Sequence, residues 1–128
     1  MNTVLLRAAA EKFAAAHQED PRRITVAGEE IAWSVHYHRR LLHWVLHFDP
    51  AASLSLQLSA RCQHIRRWSI PRSSYDKGRR GYRAWRSDLA IFHAEEAGRI
   101  LREIGYDEKT VVRVGSLLRK VGLKLDPE

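Results

Sequence analysis

Cysteine occurs once in this chain, as Cys62, so neither an internal disulfide nor a CxxC metal knuckle can form. No apolar run approaches the roughly 20 residues of a membrane span. The start, MNTVLLRAAAEKFAAAHQED, lacks a basic region followed by a long apolar core, which argues against a secretory signal. Together these absences lead us to expect a cytoplasmic protein that does not cross a membrane. Chemical signatures are missing as well. There is no GxSxG elbow, no Walker GxxxxGK[ST] loop, no GxGxxG turn and no HExxH pair. Classical hydrolase, P-loop, Rossmann and zincin readings fall on those grounds. What remains is 128 residues with 45% hydrophobic and 29% charged content, the balance of one globular domain.

Acidic residues are scarce in one quarter of the chain. From Arg61 to Arg86 there are nine basic residues and a single acid, Asp76, a local charge of +8 in a chain whose formal total is +7. Eight of the nine are arginines, with Trp68, Tyr75, Tyr82 and Trp85 interleaved. A guanidinium fork matches phosphate oxygens two at a time, and aromatic faces can stack on bases. The segment is therefore read as a surface for a phosphate-bearing partner, nucleotide or nucleic acid. The plainer alternative is a solvated basic surface whose aromatic residues pack inward.

Helical periodicity dominates the chain. Residues 3–16 form a first helix, and HQEDPRRITVAGEE is a connector punctuated by Pro21 and Gly28. Ile24, Thr25 and Val26 could extend, but an isolated strand has nothing to pair with. A second helix is expected from about Glu30 to Phe48, on the stripe Ile31, Val35, Leu42 and Val45. Asp49-Pro50 reads as the N-cap and first turn of a third, which Pro71 forces to end near Trp68. A fourth runs from about Tyr82 to Ile104 and stops at Gly105; a fifth follows Asp107 and continues to Gly122. The expected fold class is all-α, with about five helices in one bundle. We divide it into an N-terminal helix with connector over residues 1–28 and a core over 29–128.

Histidine is abundant, and its placement suggests two clusters. His36, His43 and His47 share one face of the second helix, with an i, i+4 pair that helical metal sites use. The structural alternative is a row of half-exposed imidazoles beside an apolar stripe. On the fourth helix Leu89, His93, Glu96 and Ile100 project within a narrow sector. A histidine and a carboxylate on a core-facing stripe need partners when buried. They can satisfy each other, or line a pocket with His64 as acid–base groups or metal ligands.

The second half of the chain carries a resemblance. RCQHIRRW, GYRAWR and FHAEEAGRIL match motifs that recur in a bacterial family known only as domain of unknown function 4202. Members usually continue past the DPE at which this chain stops, so the chain reads as lacking the family's C-terminal helix region. The stretch FHAEEAGRILREIGYDEKTVVRV is also similar to a helix pair of HD-domain phosphohydrolases, helical metal enzymes that cleave phosphate esters. That similarity implies an HD-like bundle. Its His-Asp dyad falls on Gln63 and His64, its first histidine near Tyr37 or His38, and a later one on His93.

Three functional expectations follow. The first is an HD-like domain that binds a phosphate-bearing ligand through residues 61–86. In it Arg66, Arg67, Arg72 and Arg79 hold phosphate, and Trp68 or Tyr75 stacks on a base. The second is a phosphohydrolase with an altered site, in which Gln63, His64, His93 and Glu96 surround a divalent metal ion that activates water. The third is a structural or interaction domain, in which a second copy covers the apolar face of the last helix as a homodimer.

Overall fold

Phe13, Leu58, Cys62, Ile65, Leu101 and Val114 are almost wholly withdrawn from solvent, and they come from four helices and one turn. The computed structural model describes residues 3–120. Its elements in chain order are α1 (Thr3–Gln18), β1 (Arg23–Val26), β2 (Glu29–Ala32), α2 (Trp33–Phe48), α3 (Leu54–Cys62), α4 (Arg79–Ile104) and α5 (Glu108–Arg119). Two single-turn 3₁₀ segments, at Arg67–Ser69 and Arg72–Ser74, link α3 to α4. The fold is mainly α, as the periodicity predicts. None of the described helices is long and apolar enough to cross a membrane.

The core is one cluster. Ala9, Phe13 and Ala16 of α1 meet Leu58 and Cys62 of α3, Ile65 of the turn, Ala97, Ile100 and Leu101 of α4, and Val111, Val114 and Leu118 of α5. Each set repeats at three- or four-residue spacing, which puts it on a single helix face. Small alanines on α1 and α4 let the helices approach closely.

The connector holds a correction. Ile24, Thr25 and Val26 do have a partner: β1 pairs antiparallel with β2 in the register Val26↔Glu29 to Arg23↔Ala32. Ala27 and Gly28 close the turn with φ of 51° and 83°. A tight hairpin turn of the I′ kind requires both central residues on that side. Helix α2 consequently begins at Trp33 rather than Glu30. Its N-cap, Ala32, has no side-chain acceptor to offer. Asp20 supplies one from a distance, accepting from the Ser34 amide at 3.1 Å, while the Trp33 amide donates to Arg22 O at 2.9 Å.

Other boundaries shift for local reasons. Ser53, not Asp49, caps α3, accepting from the Leu56 amide at 3.1 Å. Helix α3 ends at Cys62 rather than near Trp68: the Ile65 amide then bonds to Cys62 O at 3.2 Å, and the left-handed backbone of Arg66, φ 53°, turns the chain into the first 3₁₀ segment. Gly105, φ 116°, closes α4 as expected, and Asp107 caps α5 through the Thr110 amide at 3.0 Å. The expected extension to Gly122, and the tail on which the truncation reading rests, lie outside the described residues.

Candidate functional site

The turn after α3 places adjacent residues on opposite sides. The left-handed backbone at Arg66 sends its side chain outward, where it grips Glu19 through two hydrogen bonds of 2.8 and 3.2 Å. Glu96 lies 3.7 Å from the same guanidinium. Arg67 goes the other way. Its guanidinium lies 4.9 Å from the centroid of the Trp85 ring, and that ring is anchored by its own N–H on Ile70 O at 2.7 Å.

Beside Arg67 opens a cavity of about 340 Å³ between the α3 turn, α4 and the end of α5. Leu89, Ala90 and Leu118 form its apolar wall, and Gln63 and Ser87 add neutral polar groups. Its charged lining is all of one sign: Arg67, Arg86, Arg119 and Lys120. No carboxylate lines it among the described residues. Burial above all, then Arg86 and Arg22, press the Arg67 guanidinium below the ordinary arginine value.

His64 and His93 complete the lining, with ring centroids 5.6 Å apart. Ile65 O can only accept, so the 2.9 Å contact means that His93 Nδ1–H donates to it. The neutral ring then keeps a bare lone pair on Nε2. That atom and His64 Nδ1 are buried without a hydrogen-bond partner among the described residues. Burial lowers the His64 pKa to about 3, helped by the neighbouring His93 ring and by the positive charges of Arg67, Lys120 and Arg86. Burial, then Arg67, brings His93 to about 4. Both rings are neutral at physiological pH.

Behind this pair lies a chain of imidazoles with assigned tautomers. His38 Nε2 accepts the His64 amide at 3.1 Å, and its Nδ1–H donates to Ser34 O at 2.7 Å. The Ser34 hydroxyl donates to His17 Nδ1 at 3.0 Å, whose Nε2–H donates to Arg61 O at 2.8 Å. The His17 and His38 rings stack at 3.8 Å. Tyr37 stacks on His64 at 5.1 Å and Trp33 on Tyr37 at 5.1 Å. The positions that the sequence placed near an HD-like first histidine, Tyr37 and His38, thus both touch His64.

The remaining expected site residues scatter. Glu96 does not join His64 and His93, because Arg99 and Arg66 hold its carboxylate outside the cavity. Arg72 serves the loop, donating to Asp76 O at 2.9 Å and Gly78 O at 3.2 Å. Tyr75 donates its hydroxyl to Asp88. Trp68 sits half-buried in the 3₁₀ turn, and Arg79 is exposed at the start of α4. His43 and His47 are exposed, their rings stacked at 6.4 Å.

A metal of the kind HD enzymes use would need at least three protein ligands. Among the described residues no three His, Cys, Asp or Glu are grouped to hold one. Gln63, His64 and His93 face the cavity without Glu96, so this donor set does not fit such an ion.

Sequence reasoning named Arg67, His64, His93 and Gln63 but missed Arg86, Arg119 and Lys120 as cavity residues. Arg86 stood within the basic window; Arg119 and Lys120 lie far from it in the chain and arrive only through the packing of α5 on α4. No curated protein and no solved structure matches the chain significantly. A family model does match, over residues 7–128 and thus nearly the whole length. The chain belongs to the family described as domain of unknown function, DUF4202.

Proposed function

We propose that this protein binds a phosphate-bearing ligand, with a phosphoryl group received in the cavity between the α3 turn, α4 and α5. The observation that carries the reading is the lining: four cations, with no described carboxylate among them. A phosphate dianion would neutralise the guanidinium groups of Arg67 and Arg86, adding charged acceptors to the Tyr82 hydroxyl that Arg86 already has. Desolvation by the apolar wall strengthens those contacts. The reading sets the protein in the cytoplasm, supported by its single buried thiol.

Calorimetric titration with pyrophosphate and with uridine monophosphate tests it. Binding should weaken as salt rises. Each of Arg67→Ala and Arg86→Ala should weaken it by about 10-fold or more, the worth of one charge-assisted contact. Absence of binding to the unsubstituted protein at low salt would overturn the reading.

A further inference from the structure

Helix α4 has two electrostatic halves. In its C-terminal half the arginines are paired: Arg99 with Glu96 and Glu103, Arg102 with Glu108. In its N-terminal half Arg79, Arg80 and Arg83 are exposed and make no ion pair among the described residues. The carboxylate nearest in sequence on this helix, Asp88, accepts the Tyr75 hydroxyl.

That arrangement works against the helix itself. The N-terminal end of a helix is its positive pole and favours acidic residues. Here the first turn holds no acid, Gly78 provides no side-chain cap, and Arg79 and Arg83 are like charges at i, i+4. Each of these features opposes the helix end. A string of phosphates laid on this face would relieve all of them together.

Arg79, Arg83 and Arg86 fall within one sector of the helix, spread along about 10 Å of its axis. Arg86 is also a wall of the cavity, so the exposed row runs straight into the anion site. Tyr82 stands beside the row, 44% exposed, and its hydroxyl accepts from Arg86 at 2.8 Å. Cations that track a backbone together with a partly exposed aromatic ring are what single strands bind. Resting on the phosphate reading above, the geometry points to a single-stranded nucleic acid as the ligand. Its terminal phosphate enters the cavity, and its following phosphates run along Arg86, Arg83 and Arg79.

The test compares fluorescently labelled oligouridylates with uridine monophosphate by anisotropy and competition over a range of salt. The oligomers carry a 5′ phosphate, a 3′ phosphate or only hydroxyl ends. One phosphorylated oligomer should bind at least about 10-fold tighter than the mononucleotide, with a salt slope steeper by about 0.7 for each added phosphate contact. Arg79→Gln/Arg83→Gln should reduce that slope by about 1.4 while leaving mononucleotide affinity unchanged. Arg67→Gln should weaken both ligands and erase the preference for a phosphorylated end. Equal affinity and slope for oligomer and mononucleotide would overturn the strand proposal while sparing the phosphate reading. So would an unchanged slope in the double variant, or equally strong binding to phosphatidylserine vesicles. Oligomer binding indifferent to Arg67→Gln and to terminal phosphate would overturn the cavity reading, and with it the strand's placement.

Discussion

The ring of His38 accepts the backbone amide of His64 at 3.1 Å, so one imidazole on α2 fixes where the turn after α3 sets its cavity histidine. This bond needs a bare Nε2 on His38, and burial supplies it by lowering the His38 pKa to about 3, with the closeness of the His17 ring adding to the effect. Protonated His38 would offer a donor where an acceptor is required.

Stability should therefore fall in mild acid. His38, His64 and His93 are held at about 3, 3 and 4, below the ordinary value of 6.5. The unfolded chain binds more protons than the folded one between those limits. The folded state is favoured in full above pH 6.5 and loses stability as pH falls toward the folded-state values. Each such histidine costs up to about 1.4 kcal/mol per pH unit in that window. Thermal melts at pH 7 and pH 5 check this, and His38→Gln should flatten the dependence. A melting temperature unchanged between the two would contradict it.

Arg66 and Arg67 should separate cleanly despite adjacency. Arg66→Ala removes contacts to Glu19 and Glu96 and leaves the cavity lining intact, so pyrophosphate affinity should stay within about 2-fold. Arg67→Ala should reduce it by about 10-fold or more. Equal losses in both variants would indicate that the turn, not the Arg67 guanidinium, is what matters.

Asp20 is the inserted cap of α2. Its side chain is fully withdrawn from solvent and accepts from the Arg22 amide, the Arg22 guanidinium and the Ser34 amide. Burial alone would raise its pKa, but the Arg22 and Ser34 hydrogen bonds hold it below the usual carboxylate value. Asp20→Ala should cost about 3 kcal/mol by urea denaturation, most of it from orphaned donors. A loss under about 0.5 kcal/mol, the level of an ordinary surface change, would mean that the cap is dispensable.

Gly81 has a steric reason. A Cβ at this position would stand 1.8 Å from Asp76 O, so the Arg72-braced loop lies directly on the first turn of α4. Gly81→Ala must displace that loop and should cost about 1–3 kcal/mol. A melt and a chymotrypsin digest at the loop together report the displacement.

Cys62 should behave as an inert hydrophobe. It is fully buried, its Sγ–H donates to Leu58 O at 3.2 Å, and burial pushes the thiol pKa far up. A disulfide reagent should react with it only at the rate of global unfolding. Rapid labelling of the native protein would contradict this placement.

The helices were legible because Phe13, Leu58, Leu101 and Val114 each stand on an apolar stripe that a period of 3.6 exposes directly. The hairpin was not, since its second strand reads Glu29-Glu30-Ile31-Ala32 and mimics the first turn of a helix. What starts α2 there is Asp20, a tertiary contact with no local signature. In the site, His64, Arg67 and His93 could be named from the sequence. Helical projection put Glu96 beside His93, yet a side chain of that length follows its cations, and Arg66 and Arg99 lie outward. Arg119 and Lys120 carry no motif and enter only through three-dimensional packing.

The stacked pair of His17 and His38 also bears on how small a working fragment can be. Residues 1–28 look like an appendage in the sequence, a helix and a connector ahead of the motif-bearing part. A fragment beginning at residue 29 would lose Asp20, which starts α2, and the imidazole against which His38 lies. It would lose β1 and the Phe13 layer of the core as well. Minimal versions made to map ligand binding should therefore be trimmed from elsewhere, because the first helix is part of the foundation on which His64 is set.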